Sequence, residues 1–475
     1  MATQDIAVGS LVHIEQPTAF VPYDTTQPFV SSRDTYSLIE ENMLSAALSA
    51  TGEHFRGFSI ILAARVISCA RFDESTAIKV KALCRNTTHH IQQSHLNKYA
   101  SAQIVQRLLF GMCATPNVSV NDCVEILEKL ESNAFSVVDH DMSSVAGIGL
   151  YTAAAAINHS CDPNCYQTFD LLSAATLSIR ASRHIKKGEE ICIAYIDIGK
   201  STSMRRRELS SLYGFFCSCR RCSCTSAGSY LCSALNCGGN CEVVQSDLFL
   251  WWKGYIGHPE RLLSNTLPKL NKAFDSIRDV SLLHDDILPI YFDSDSLGTD
   301  GAKRSRMSLQ CSVCSKMVNY DTIVKKVCSI NDSIRAMEEN RRRGQGSALQ
   351  CKKCIEILLL LKCPPHYNLV ELYRNFILED LIIQNEFRAY VLTVRDGNYL
   401  RYLSQCYPVN HPFPAIQKAM YSKCLLGVCN TEREHEEACA NIRDALQILR
   451  VTHGEGSPVV KELKNTLGNY SDHLL

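Results

Sequence analysis

Three cysteines within six residues, Cys217-Ser218-Cys219-Arg220-Arg221-Cys222, restrict this chain more than any other feature. The spacing is too tight for one face of a helix or strand and suits a loop wrapped around a metal. Zinc takes four ligands in a tetrahedron, and thiolates are among its preferred donors. The fourth sulfur is expected from the bend Asn158-His159-Ser160-Cys161-Asp162-Pro163-Asn164-Cys165, where Cys161 and Cys165 both qualify. Closing that gap folds residues 157–222 back on themselves. It sets Asn158 and His159 beside Tyr195, Tyr213 and Phe215, and this crevice is read as the active site.

Cysteine usage bears on the surroundings. The chain has 24 cysteines in 475 residues and no N-terminal signal pattern, so a reducing cytoplasmic or nuclear setting is expected, with clustered thiols as metal ligands. Basic and acidic residues balance at 49 each, which leaves no global signal for nucleic acid or an anionic membrane. The longest apolar run, Ile355–Leu361, is flanked by Lys353 and Lys362 and falls well short of the ~20 residues of a membrane helix. An apolar content of 46% suits several hydrophobic cores, and the length suggests about three domains.

Along the chain, Leu11–Glu15 alternates like a strand after a turn. From about Tyr36 to Leu130 the period becomes helical, with Phe58, Ile61, Leu62, Arg65, Val66 and Cys69 three and four apart. Ser119 with Asp122 marks a helix start. After Asn133 the pattern turns to glycine-punctuated strands. Leu171–Ser182 and Glu190–Ile196 are read as strands joined by a turn at Lys186–Glu189. Arg341–Gly346 reads as a solvated loop before it reads as a nuclear address. Beyond residue 350 the chain is helical again: Leu369, Leu372, Tyr373 and Phe376 make one stripe. Ala438, Ile442, Ala445, Leu446 and Leu449 make another, opened by Thr431-x-x-Glu434 and closed at Gly454. Antiparallel helices in series point to a helical-repeat superhelix.

Two further thiol groups need a reading. Cys232 and Cys237 with Cys311 and Cys314 are expected as a second zinc site, with Cys241 as a substitute ligand. Cys351 and Cys354 open an apolar helix and are read as packing thiols. The Asn158-His159-Ser160 bend, an amide and an imidazole on a turn, suits an amino-acid-like cofactor bearing ammonium and carboxylate.

The residues from Asn158 to Cys165, then Gly188-Glu189-Glu190 leading to Ala194-Tyr195-Ile196-Asp197, then Arg205, Arg206 and Leu209 leading to Tyr213-Gly214-Phe215-Phe216 and the cysteine loop, resemble a SET domain with its post-SET loop. The nearest subfamily is the SET-and-MYND protein lysine methyltransferases. The resemblance implies an α+β chain: a β-rich SET fold with a helical insertion and a zinc-bound post-SET loop, followed by an all-α tetratricopeptide-like domain. Expected divisions are shortened N-terminal strands over 1–30, the helical insertion over 31–132 and the SET core over 133–215. The post-SET zinc region follows over 216–241, an insertion or second zinc module over 242–324, and the helical-repeat domain over 325–475.

The same resemblance implies that Asn158, His159, Tyr213, Phe215 and Asn86 contact S-adenosylmethionine. It makes Tyr195 the catalytic tyrosine beside the transferring methyl, and lines the lysine channel with Phe135, Tyr195 and Tyr213. Its zinc ligands are Cys161, Cys217, Cys219 and Cys222. The expected substrate is a lysine of a histone or other protein, with partners at the C-terminal helical domain, a monomeric state, and a cytoplasmic or nuclear location. No dedicated base is expected, in keeping with the lack of an obvious carboxylate at the site. Two features depart from the family pattern. The MYND finger is missing, since no cysteine lies between Tyr23 and Glu53, and so is the Gly-x-Gly stretch that usually precedes the first strand. The missing finger implies loss of a partner-binding, basic surface, and the missing glycine stretch favours the rival reading, a weakly active or inactive SET scaffold that serves protein interaction.

Overall fold

The structure is a computed structural model, described over residues 1–23, 54–85, 92–113, 118–142, 144–200, 202–223 and 366–471, with short pieces at 230–231, 240–244, 308–311 and 317–319 and isolated positions between 315 and 356. Three small antiparallel or parallel sheets surround the bend at 157–165. Strands β1 (Leu11–Glu15), β6 (Cys165–Asp170) and β7 (Thr176–Ala181) form one sheet in the order β1-β7-β6. Strands β2 (Ala19–Pro22), β3 (Ala134–Val138) and β4 (Val145–Leu150) form a second in the order β2-β4-β3. Strands β5 (Asn158–His159) and β8 (Cys192–Ile193) pair in parallel, Asn158 opposite Cys192 and His159 opposite Ile193.

That parallel pair positions the site, and one buried side chain fixes it. Asn164 accepts at Oδ1 from the Cys192 backbone N–H at 2.8 Å and donates through Nδ2 to the Glu190 carbonyl at 2.7 Å. The amide thus stands in for a strand partner along one edge of the chain leading into β8. The Ser160 N–H donates to the Ile193 carbonyl at 3.0 Å and extends the clamp. The expected turn at Lys186–Glu189 is present: the Glu189 N–H donates to the Lys186 carbonyl, and Gly188 supplies the positive φ of 83°.

The helical insertion comprises α1 (His54–Phe72), α2 (Glu74–Ala82), α3 (Gln92–Cys113) and α4 (Val120–Asn133), packed with β2 and β4 in one apolar core. Ser119 and Asp122 form the expected capping box, each satisfying the other's backbone N–H. Helix α1 is more deeply buried than a one-faced stripe implies: Ile60 to Ala64 are consecutive and all at most 5% exposed.

The described C-terminal region is all helical. It contains α7 (His366–Tyr373), continued by a π-turn over Arg374–Leu378 into α8 (Glu379–Ile383), then α9 (Phe387–Asp396) and α10 (Tyr399–Cys406). Helices α11 (Pro412–Val428), α12 (Glu432–His453) and α13 (Pro458–Ser471) follow. Here α5 and α6 denote Thr202–Tyr213 and Arg220–Ser223. The stripe from Ala438 to Leu449 is buried as read, Thr431 accepts from the Glu434 N–H, and Gly454 ends α12 with a φ of 84°. Cys351 and Cys354 are buried in the same core as packing thiols. Among the described residues, an α+β core followed by an all-α region is therefore present.

Three local expectations differ from the structure, the first being the strand read over Glu190–Ile196, which is reduced to the two residues of β8. The alternation in β1 is broken by a bulge between Leu11 and His13, which leaves Leu11 and Ile14 exposed. Strand β6 was not expected, and residues 171–173 form a 3-10 turn, so the predicted strand starts only at Thr176. Its missing turn signal is Ala174-Ala175, two alanines with φ near 55° where glycine or asparagine is the usual choice.

The helical region is seated on the sheets by polar contacts. The Tyr407 hydroxyl donates to Asp197 at 2.8 Å, and the Asn410 amide donates to the Ser182 carbonyl at 3.2 Å. Gly199 permits the approach, because a Cβ there would lie 2.6 Å from the Tyr407 hydroxyl oxygen. Gly199→Ala is expected to cost about 1–3 kcal/mol, the usual penalty for overpacking. Urea denaturation followed by tyrosine fluorescence measures it.

Candidate active site and metal centre

The segment after α5, up to and including α6, carries three sulfurs of the cluster, and the bend at 157–165 carries the fourth. The sulfurs of Cys161, Cys217, Cys219 and Cys222 all lie within 4.8 Å of one another, the one such group among the described residues. Cys161 is 3.5 Å from Cys222 and 3.9 Å from Cys217, sulfur to sulfur. A tetrahedron with metal–sulfur bonds of about 2.3 Å has edges of about 3.8 Å, so the cage has the size zinc requires. Cys165 stays outside it, buried among Leu177, Ile179 and Ala181. Of the two sulfurs that spacing leaves open, Cys161 is the one that lies with Cys217, Cys219 and Cys222.

The donor chemistry agrees. Hydrogen bonds from Cys161, Cys217 and Cys222 hold the Cys219 thiol far below its usual range, while those with Cys217, Cys219 and Cys222 push Cys161 far above its own. Four sulfurs this close cannot all ionise when only protons are available, and a divalent cation lets all four do so. Positive charge is already built in around them. The Arg205 side chain, 2% exposed, donates to Cys222 Sγ at 3.6 Å. Arg206 donates to the carbonyls of Cys217 and Cys222 at 3.2 and 2.9 Å. Arg221 donates to the carbonyls of Cys161, Ile198 and Cys406, tying the bend, the strand end and α10 together.

The aromatic crevice lies against this cage. Tyr195 and Tyr213 have ring centroids 4.9 Å apart, and His159 lies 5.3 Å from Tyr195 and 6.1 Å from Phe215. The Tyr195 hydroxyl donates to the Ile157 carbonyl at 2.6 Å, and the Tyr213 hydroxyl donates to the Tyr195 carbonyl at 3.3 Å. Burial, then the neighbouring Tyr213, pushes the Tyr195 phenol up to about 12; burial pushes Tyr213 up to about 12 as well. Both are neutral hydroxyl donors at physiological pH and neither is a base. Burial holds His159 down at about 4, so its ring is neutral too.

Asn158 is exposed, and its Nδ2 donates to Glu190 Oε1 at 2.7 Å. A carboxylate only accepts, so the amide orientation follows and Oδ1 is turned away as an acceptor. Glu190 is a carboxylate at the site, contrary to the sequence expectation. Its hydrogen bond to Asn158 commits it to orienting that amide. The only hint in the sequence is the Glu189-Glu190 pair after the glycine. Glu189 instead pairs with Arg183 at 2.6 Å.

Not every expected site residue is brought to the crevice. The Phe135 ring packs edge-on against Tyr151, 5.5 Å between centroids, in the apolar layer that Tyr195 also borders. Asn86, Cys232, Cys237 and Cys314 lie outside the described residues, as does the Cys311 side chain. At backbone level Cys311 pairs with Cys241 across two antiparallel strands, Asn240–Val244 and Ser308–Cys311. Leading up to Asn86, the Cys84 carbonyl accepts from the Asn133 amide at 2.8 Å. No helix among the described residues is long and apolar enough to cross a membrane.

Comparison with known proteins adds an independent finding. Residues 1–196 match the SET domain as a family. The chain is 25% identical over 408 residues to "Histone-lysine N-methyltransferase ASHR1" of Arabidopsis thaliana, covering 82% of this chain and 71% of that protein. It is 40% identical over 101 residues to "Histone-lysine N-methyltransferase SMYD3" of Mus musculus, covering 21% of this chain and 23% of that one. It is 40% identical over 94 residues to "SET domain and MYND-type zinc finger protein 6" of Schizosaccharomyces pombe, 20% of this chain and 19% of that one. The last two alignments span less than a quarter of those relatives.

Proposed function

We propose that the chain, whose residues 1–196 match the SET domain, is an S-adenosylmethionine-dependent protein-lysine N-methyltransferase. The observation that carries the proposal is the cluster of the His159, Tyr195, Tyr213 and Phe215 rings beside a four-sulfur group, with Asn158 next to His159 on the same short strand. The relatives' names point to a lysine of a histone or another protein as the acceptor.

S-adenosylmethionine, when bound, supplies a methyl group made electrophilic by its sulfonium. The residues present fit such a group. Asn158, its Nδ2 held by Glu190, offers Oδ1 to an ammonium, and the rings of Tyr213 and Phe215 offer apolar faces. Cys161, Cys217, Cys219 and Cys222 are the residues that would hold zinc, as a closed structural site with no open position for hydrolysis.

The protein's own contribution is alignment and exclusion of water. An in-line displacement gains much of its barrier reduction from holding the reacting atoms in register. A lysine in water has a pKa of about 10.4 and is protonated. Among partly buried rings such as Tyr195 and Tyr213 its charged form is disfavoured, and the proton leaves to water. Neutral Tyr195 accepts no proton and serves by orienting the amine. The helical region beyond residue 350 then serves as the surface for protein partners, and the crevice lies between it and the sheets.

Isothermal titration with S-adenosylmethionine and a peptide array with isotope-labelled cofactor test the proposal together. Binding at micromolar concentration and label on lysine peptides are expected. A chain that binds no cofactor and labels no peptide is an interaction scaffold, and the enzyme proposal fails.

A further inference from the structure

His159 stands between the two halves of the site, and both of its ring nitrogens are taken by protein atoms. The Tyr195 backbone N–H, which can only donate, points at Nδ1 from 3.0 Å. Nδ1 must therefore carry the lone pair, which puts the ring hydrogen of the neutral imidazole on Nε2. That nitrogen lies 3.2 Å from Cys161 Sγ, so the ring donates to a sulfur of the cage. Neither nitrogen is left for a small molecule. The His159 backbone pairs with Ile193 in β8, two residues before Tyr195, so the ring and the strand close a short loop around the tyrosine.

We propose that His159 is a positioning residue that ties the sulfur cage to the strand bearing Tyr195, holding the Tyr195 backbone at Nδ1 and the Cys161 sulfur at Nε2. For the metal it acts as an outer partner. An N–H donated to a ligand sulfur draws charge from the thiolate, which matters when four thiolates surround one dication. For Tyr195 it fixes the peptide plane from which the phenol reaches the Ile157 carbonyl. The cage then does more than close a loop: its filling sets the direction in which the ring donates and so the seat of Tyr195. The kinetic consequence rests on the methyltransferase reading given above, whereas the metal consequence does not.

Two substitutions separate the two hydrogen bonds. In His159→Asn the side-chain oxygen falls near the Nδ1 position and keeps an acceptor for the Tyr195 N–H, while the donor to sulfur is lost. In His159→Gln the longer amide returns a donor near Nε2 and loses the acceptor. Both are made in the full chain, purified with zinc and re-loaded with Co²⁺, whose thiolate charge-transfer band reports on the sulfurs directly. For His159→Asn the band is expected to move to lower energy, and zinc is expected to be lost to a chelator 10–100-fold more readily. For His159→Gln the band is expected to stay and metal retention to remain near that of the parent chain, while kcat falls and KM for S-adenosylmethionine changes little.

An unshifted cobalt band with unchanged zinc retention in His159→Asn overturns the proposal. So does equal loss of metal in both variants, which marks the ring as packing alone. If no methyl transfer is found even in the parent chain, the enzyme proposal fails. The cobalt and zinc measurements still decide the role of His159.

Discussion

Removing the Tyr195 hydroxyl, as Tyr195→Phe, is expected to lower methyl transfer about 10²-fold, the scale of loss when a reacting group is misplaced by roughly an ångström. The ring itself loses nothing by the change. It keeps its place against Tyr213 and His159, and the Tyr195 backbone still donates to His159 and accepts from Tyr213. What disappears is one neutral O–H whose present acceptor is the Ile157 carbonyl, in the bend that carries Asn158. With that tether gone the acceptor amine has no fixed partner on this side of the crevice, and the carbonyl is left to water. Single-turnover assays with labelled cofactor should show the loss in kcat, with S-adenosylmethionine affinity and metal content unchanged. A rate within a factor of two or three of the parent removes the hydroxyl from the mechanism. Tyr213→Phe is the informative neighbour: its hydroxyl touches only the Tyr195 carbonyl at 3.3 Å, so a smaller loss is expected there.

What could be read from the sequence, and what could not, divides along a physical line. Caps at Ser119 and Thr431 were legible because their hydrogen bonds span three residues and need no tertiary partner. The cysteine loop was legible because thiolates at that spacing have few other uses. Bonds from side chains to distant backbone carbonyls were not. Arg221 reaches the Cys406 carbonyl across 185 residues, and every residue offers an identical carbonyl, so no residue type at position 406 announces the contact. Side-chain pairs far apart in the chain were hidden as well, such as Tyr407 with Asp197, and His411 and His453, whose rings pack against Tyr166 where the helices meet the sheet. The role of Asn164 was hidden for a related reason: an asparagine in an Asp-Pro-Asn bend reads as a turn residue, yet this one completes a parallel strand pair. Strand β6 was missed because its boundary at Ala174-Ala175 carries no glycine, and β1 was misjudged because a bulge moves side chains to the other face without changing the sequence pattern.

Cys219→Ser should have the second large effect, and it reaches beyond the metal. A serine oxygen is a poor substitute for a thiolate in a cage with edges near 3.5 and 3.9 Å, so bound zinc is expected to fall from about one per chain to near none. In small zinc modules the ion contributes on the order of 10–16 kcal/mol to folding, far more than any single contact in this loop. Without it, the three remaining sulfurs take up protons, negative charge is lost from beside the buried Arg205 guanidinium at Cys222, and the loop must open. Opening carries Arg221 away, and with it the bridges to Ile198 and Cys406 that hold α10 near the crevice. Hydrogen–deuterium exchange should therefore quicken in two separate places, the 217–223 loop and the 399–411 segment, while α1–α4 of the insertion keep their protection. Cys165→Ser provides the contrast, since that sulfur is buried 0% exposed in the neighbouring apolar core and not in the cage. It should cost stability through packing and leave zinc stoichiometry intact. If Cys219→Ser retains its zinc, or Cys165→Ser sheds it, the four sulfurs named here are the wrong set.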